Sequence, residues 1–302
     1  MNRKDLCGIL FFGWIHHANL RGLKWMCKEL SLSSHLIKSK SEIDTYKGYW
    51  LVLSMNELVP NTFANKLVIS GPHLLPHDII QSSINDLCIW NALNDWVKNL
   101  FISVNPNLKC ICAPFPIPYN LPDLTPNQDI EKTDILIYFK QRPYELLTNC
   151  KIIVDNLLTQ SKYAKDLIRV FEYGKYDYET WTESLKRSKF VIFLIASESQ
   201  GFAVQEAMSL DVPIIMWDIT ELNQANIESP RWFDRPEYHK HIPVTGATIW
   251  NDADCGIKVN DYISFKNAVQ HMFSSYDKYH PRSLLIQHFE PELCLQRFLT
   301  IQ

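Results

Sequence analysis

Two consecutive α/β domains, each a parallel sheet with helices over both faces, are predicted for this chain of 302 residues. Three observations lead there. Short apolar runs alternate with segments of helical spacing, a proline-rich stretch interrupts the alternation, and the alternation then starts afresh. Parallel strands need long crossover connections, and helices supply them, so strand–helix alternation favours a parallel sheet. The length also exceeds that of a typical single domain.

In the first half, residues 7–12, 49–53, 67–70, 86–90 and 109–112 read as strands. Between the first two, Leu20, Leu23, Cys27 and Leu30 recur at helical spacing. Residues 92–101 follow the fourth strand as a helix, with Leu93, Trp96, Val97 and Leu100 on one side. Periodicity then stops. Pro114, Pro116, Pro118, Pro122 and Pro126, with Pro106 shortly before, mark a semi-rigid connector. The domain boundary is placed within it, giving an N-terminal domain over 1–125 and a C-terminal domain over 126–302.

In the second half, 135–139, 151–154, 168–171, 190–195 and 213–217 are strand candidates rich in Ile, Val and Phe. Helices are expected over 160–167, 178–187 and 202–210, and near the end over 262–273 and 291–299. Pro291 suits a first helical turn, where its missing N–H costs nothing. No repeat of fixed period is present.

Apolar residues make up 46% of the chain, enough for two cores, and charged residues 21%, in no long run of one sign. A net charge of -3 gives no global attraction to nucleic acid or anionic membrane. No nucleic-acid-binding motif is visible. The eight cysteines sit in apolar segments without CxxC spacing, so buried thiols in a reducing compartment are expected. Arg3 and Lys4 precede an apolar run over 6–15 that resembles a short signal peptide. Gly8 and Gly13 interrupt it, His16 and His17 follow, and it falls short of the roughly 20 residues that span a bilayer. A buried first strand, no transmembrane segment and a cytoplasmic protein are the expectation.

The segment that carries chemistry is 189–218. An apolar strand runs to Ser197; Glu198, Ser199, Gln200 and Gly201 form a turn; a helix and a second buried strand follow. Glycine at a helix entrance lets a ligand approach the backbone. The unpaired N–H groups and the helix dipole there favour an anion such as a diphosphate. In open parallel sheets ligands bind at the carboxyl ends of strands, where this turn lies. Two carboxylates flank the entrance: Glu198 in the turn, and Glu206 about one turn inside the helix.

The arrangement Glu198-x7-Glu206, with Gly201 inside, Ala207 after it and Val212-Pro213 closing it, resembles the donor motif of retaining GT-B glycosyltransferases of the group 1, family 4-like kind. The resemblance implies two Rossmann-like domains facing across a cleft, with a C-terminal helix (here 291–299) returning to the first. It implies that Glu206 holds the ribose hydroxyls of the donor nucleotide and that Glu198 contacts the transferred sugar. The backbone of Gly201, Phe202 and Ala203 would hold the donor's phosphate and sugar. Asp211 departs from the pattern, standing where many members have glycine.

Further positions follow from the same resemblance. Lys140 and Arg142, ending the first strand of the second half, would bind the diphosphate; alternating with Gln141, they would leave an extended segment on one side. An ammonium and a guanidinium suit a leaving group on which negative charge builds. Tyr173 would lie near the nucleotide base. In the N-terminal, acceptor-side domain, His16 and His17 follow the first strand, and His73 in Gly71-Pro72-His73 would contact the transferred sugar. Asp252-Ala253-Asp254 has DxD spacing but is read as a loop, and no metal or other cofactor is expected.

The expected activity is transfer of a sugar from a nucleotide-diphosphate sugar, UDP- or GDP-linked, to an acceptor hydroxyl on a glycan, protein or other compound, with retention of configuration. The alternatives are a non-catalytic nucleotide-sugar-binding module and a nucleotide-sugar epimerase of the same fold. A phosphorylase lacks support because no lysine motif for pyridoxal phosphate is found.

Overall fold

A computed structural model describes residues 3–72, 87–160, 167–222 and 242–300 of the chain. It divides into two compact units, one formed by Met1–Pro118 with Phe289–Gln302 and one by Tyr119–His288.

The first unit is built on a six-stranded sheet. Its strands are β1 (Leu6–Phe12), β2 (Ser33–Leu36), β3 (Tyr49–Ser54), β4 (Lys66–Ser70), β5 (Ile89–Asn91) and β6 (Lys109–Ile111). The order is β2-β1-β3-β4-β5-β6, and every pairing is parallel. Strands β1, β3 and β4 are almost wholly buried, as expected for a sheet covered on both faces. Strand β2 lies outside the sequence expectation: Ser33-Ser34-His35-Leu36 is a half-exposed edge strand and carries no apolar run. The fourth strand begins at Ile89, and the expected start at Asp86 lies outside the described residues.

Helix α1 (His17–Glu29) buries Leu23, Trp25, Met26 and Cys27, and α2 (Asp95–Val104) buries Val97, Leu100 and Phe101. The N-cap of α2 is Asn94, whose side chain accepts from Val97 N–H. The proline-rich stretch is not an exposed connector over its first part. Residues 113–118 are buried, and Gly22 of α1 lies so close to the Pro116 carbonyl that a Cβ there has no room. Alternate side chains Ala113, Phe115 and Ile117 point into the core, a period-2 signal that the prolines mask. Phe115 meets Phe298 of the C-terminal helix α9 (Pro291–Leu299), their ring centroids 6.0 Å apart.

The second unit is built on a five-stranded parallel sheet. It comprises β7 (Asp134–Lys140), β8 (Leu167–Glu172), β9 (Ser188–Ile195), β10 (Ile214–Trp217) and β11 (Gly256–Val259), in the order β11-β10-β9-β7-β8. Helices α3 (Tyr144–Thr159) and α7 (Tyr262–Ser275) supply one cluster with Ile135, Ile137, Phe139, Phe190, Ile192 and Leu194. Alternation along β7 sends Tyr138 to the opposite face, against Trp181 of α4 (Tyr178–Lys186) and Phe193.

The expected strand over 151–154 lies instead inside α3. Leu146, Cys150, Val154 and Leu158 are buried four apart, so the apolar run is one stretch of a helical stripe. Of the helix expected over 160–167, Gln160 caps α3 and Leu167 opens β8, and the residues between lie outside the described residues. The DxD residues form a short helix, α6 (Asp252–Cys255), rather than a loop, because the Asn251 side chain caps it by accepting from Ala253 N–H. Helices α5 (Phe202–Ser209) and α8 (Pro281–His288) are the further helices among the described residues of the unit. No helix among the described residues is long and apolar enough to cross a membrane.

Candidate functional site

The candidate residues of the second unit gather at the carboxyl ends of adjacent strands. Lys140 is the last residue of β7, Tyr173 follows β8, and Glu198 stands three residues beyond the end of β9. Lys140 Nζ lies 2.7 Å from Glu198 Oε1 and 4.4 Å from the centroid of the Tyr173 ring. Tyr173 is half exposed, and its N–H donates to the Phe139 carbonyl, which ties the turn after β8 to β7.

Gly201 is the N-cap of α5, with φ 76 and ψ 56. A Cβ would have room there, its nearest neighbours standing 3.5 Å away or more. The left-handed backbone, rather than crowding within the protein, is therefore what requires glycine. Phe202 and Ala203 follow as the first two residues of the helix, both part-buried. Glu206 is part-buried too, and its Oε2 accepts from Trp181 Nε1 at 2.9 Å.

The turn 197–201 is held from beneath. Glu198 N–H donates to the Thr245 carbonyl at 3.1 Å, and Thr248 Oγ1 donates to the Gln200 carbonyl at 2.6 Å. Asp218, just past β10, anchors that support. It accepts from Thr245 Oγ1 at 2.6 Å and Gly246 N–H at 2.7 Å, and pairs with Lys258 at 3.1 Å. Within electrostatic reach of both glutamates lie Tyr138 and Tyr176, the Tyr176 hydroxyl donating to that of Tyr138 at 3.4 Å. Burial first, and then neighbouring hydroxyl and carboxylate charge, pushes the Tyr138 hydroxyl far up, while Tyr176 is pushed up to about 12. Both stay neutral donors at physiological pH.

Arg142 differs from the expectation. Gln141 takes a left-handed φ of 54, so the extended run ends at Lys140 and the two cations do not leave one side of a strand. The Arg142 side chain is buried, and its Nη1 donates to the Ile195 carbonyl at 3.0 Å, at the end of β9.

In the first unit, His16 is the N-cap of α1, its Nδ1 accepting from Ala18 N–H at 3.3 Å, and His17 opens the helix, exposed. Both stand at the carboxyl end of β1. His73 lies outside the described residues.

By sequence the chain matches no family model and no curated protein. By structure it is similar to a mutant of S. aureus TarM in complex with fondaparinux, alpha-GlcNAc-glycerol and UDP. That similarity has a TM-score of 0.53 at 12% identity, over 83% of this chain and 54% of that one. It is also similar to the lipopolysaccharide outer core galactosyltransferase WaaB, with a TM-score of 0.51 at 10% identity, over 97% and 98% of the two chains. A third similar structure is AviGT4, a glycosyltransferase involved in avilamycin A biosynthesis, with a TM-score of 0.55 at 8% identity over 97% of each. Two parallel-sheet α/β units matched to these structures decide the fold. The fold is GT-B. The chain spans about half the length of TarM.

Within this GT-B chain the departure at Asp211 has a local reason. The residue keeps the left-handed φ, 56, that glycine would supply, and its carboxylate is used. It accepts from Arg282 N–H at 3.1 Å and faces His280 Nδ1 at 3.1 Å, fixing the start of α8 beside the end of α5. Sequence reasoning missed Trp181, Asp218, Thr245 and Thr248. Asp218 carried a signal, as the polar residue closing a buried strand at its carboxyl end. The other three are placed by contacts distant in sequence.

Proposed function

We propose that this chain is a retaining glycosyltransferase. It would move a sugar from a UDP- or GDP-linked donor to the hydroxyl of a glycan, protein or other acceptor. The observation that carries the reading is the gathering of Lys140, Glu198, Glu206 and the Gly201 entrance of α5 along the carboxyl-end edge of the second sheet. That edge combines a cation and a helix N-terminus, both suited to a diphosphate, with two carboxylates suited to sugar and ribose hydroxyls. The GT-B fold and the UDP complex of TarM support it.

On this reading Glu206 accepts from the ribose hydroxyls, and Lys140 and the N–H groups of Phe202 and Ala203 bind the diphosphate. Tyr173 flanks the base, and Arg142 holds the end of β9 and adds positive charge beneath the phosphates. As the bond from the anomeric carbon to the diphosphate breaks, negative charge grows on the phosphate oxygen and positive charge on the ring. Lys140 stabilises the first, and Glu198 orients the sugar and stabilises the second. The departing phosphate oxygen takes the proton of the acceptor hydroxyl, whose oxygen bonds to the anomeric carbon on the same face. No metal is required, since protein cations neutralise the leaving group. The acceptor-side roles of His16, His17 and His73 rest on the resemblance alone.

Thermal-shift screening against UDP, GDP, ADP, CMP and TDP tests the donor site, because a ligand that binds only the folded state raises its stability by mass action. One diphosphate should stand out, and no shift with any of them would overturn the reading. Proton NMR of the product formed from an α-linked donor tests the stereochemistry: an α-linkage is expected, and a β-linkage would mean inversion.

A further inference from the structure

The structure assigns Trp181 as a positioning residue that makes the donor site select ribonucleotides over 2′-deoxyribonucleotides. The inference rests on the proposed role of Glu206 and adds to it the group that aims the carboxylate.

Trp181 is fully buried, and its indole N–H donates to Glu206 Oε2 at 2.9 Å. A buried indole N–H needs an acceptor, and here the acceptor is a carboxylate on a part-buried helix position. The ring cannot turn to follow a moving partner. It is packed by Phe171 at 5.2 Å, Tyr138 at 5.3 Å, Tyr176 at 5.8 Å and Phe193 at 6.4 Å between centroids. Its helix is anchored by Asp177, which caps α4 by accepting from Thr180 N–H at 2.7 Å. A charge-assisted bond to so rigid a donor holds one oxygen of the Glu206 carboxylate before any ligand arrives.

A vicinal diol needs two acceptor directions at a set spacing. A carboxylate held in place meets both hydroxyls of a ribose, and loses one bond outright when the 2′-hydroxyl is missing. Without the Trp181 bond the carboxylate must be ordered at the moment of binding to meet two hydroxyls at once, so the second hydroxyl gains less and discrimination falls. The discrimination ratio is thus a readout of the Trp181 bond, separate from affinity itself.

The test is calorimetry of ribonucleoside and 2′-deoxyribonucleoside diphosphates of the preferred base with wild type, Trp181→Phe, Glu206→Ala and the double variant. The wild type should prefer the ribonucleotide by about tenfold, the discrimination expected of one hydrogen bond to a charged group. Trp181→Phe should bring the ratio close to unity with deoxyribonucleotide affinity nearly unchanged, and should add nothing in the Glu206→Ala background. If Trp181→Phe keeps the wild-type ratio, or weakens both ligands equally, the positioning role is overturned. A wild type with no preference would instead sink the ribose role of Glu206 itself. Should Trp181→Phe not fold, benzothienylalanine at position 181 keeps the ring shape without the N–H, and the same ratio is read: near unity supports the role, and the wild-type value overturns it.

Discussion

Lys140 and Glu198 form an ion pair at the carboxyl ends of the strands of the second sheet: Nζ lies 2.7 Å from Oε1, and the two side chains are only 15% and 12% exposed. The groups proposed to bind diphosphate and sugar thus neutralise each other in the unliganded protein. A free nucleoside diphosphate that draws on Lys140 weakens the tie to Glu198, whereas a complete donor brings sugar hydroxyls to replace it. Glu198→Gln should therefore tighten the nucleoside diphosphate and weaken the nucleotide sugar, and turnover should fall. Calorimetry with both ligands reads the split; weakening of both would contradict the exchange.

Lys140 and Arg142 should separate by ligand binding. Lys140→Ala breaks the ion pair with Glu198, and beyond the stability lost with that pair the expected effect is on diphosphate binding and turnover more than on nucleoside affinity. Arg142→Ala removes a buried guanidinium from the Ile195 carbonyl, so it should also cost about 1.5–3 kcal/mol, the range for a hydrogen bond to a charged group. Thermal melts of Arg142→Ala against wild type decide this, and an unchanged melting temperature would argue against a supporting role for Arg142 under β9.

Turnover in excess EDTA should stay near its level without chelator. Asp252→Asn combined with Asp254→Asn should be tolerated, since these residues belong to the capped helix α6. Loss of activity with EDTA, restored by Mn²⁺, would revive a metal role for the DxD pair.

Alkaline pH should destabilise the protein. Burial pushes the thiols of Cys27, Cys150 and Cys294 from 9.0 up to about 12, and Tyr176 from 10.0 up to about 12. The folded state therefore holds these protons at pH values where the unfolded chain has released them. Stability from these groups is fully present below about pH 9 and is lost as pH rises toward 12. Calorimetric melting temperatures measured upward from pH 8 should fall steadily above pH 9, and a flat profile to pH 11 would contradict it.

The β9–α5–β10 segment was legible because its signals agree: a buried strand, a glycine at the helix entrance and a second buried strand. Helix α3 was not, because the apolar run 151–154 is too short to show a period and the stripe is completed only by Leu146, Cys150 and Leu158 outside it. Strand β2 carries no signal, since its polar edge is set by pairing with β1. The turn at Gln141 depends on a positive φ in a residue that does not announce it, and with it went the expected geometry of Arg142. The bond from Trp181 to Glu206 joins residues on different helices, so no spacing rule reaches it.

Binding of the preferred nucleoside diphosphate to Glu206→Ala, by isothermal calorimetry with the fold verified by circular dichroism, bears most directly on the donor site. Loss of a hydrogen bond to a charged group, about 1.5–3 kcal/mol, corresponds to an affinity lower by roughly tenfold to a hundredfold. That fall is the expected result; unchanged affinity in a folded variant would contradict a ribose-binding Glu206 and the donor site built around it.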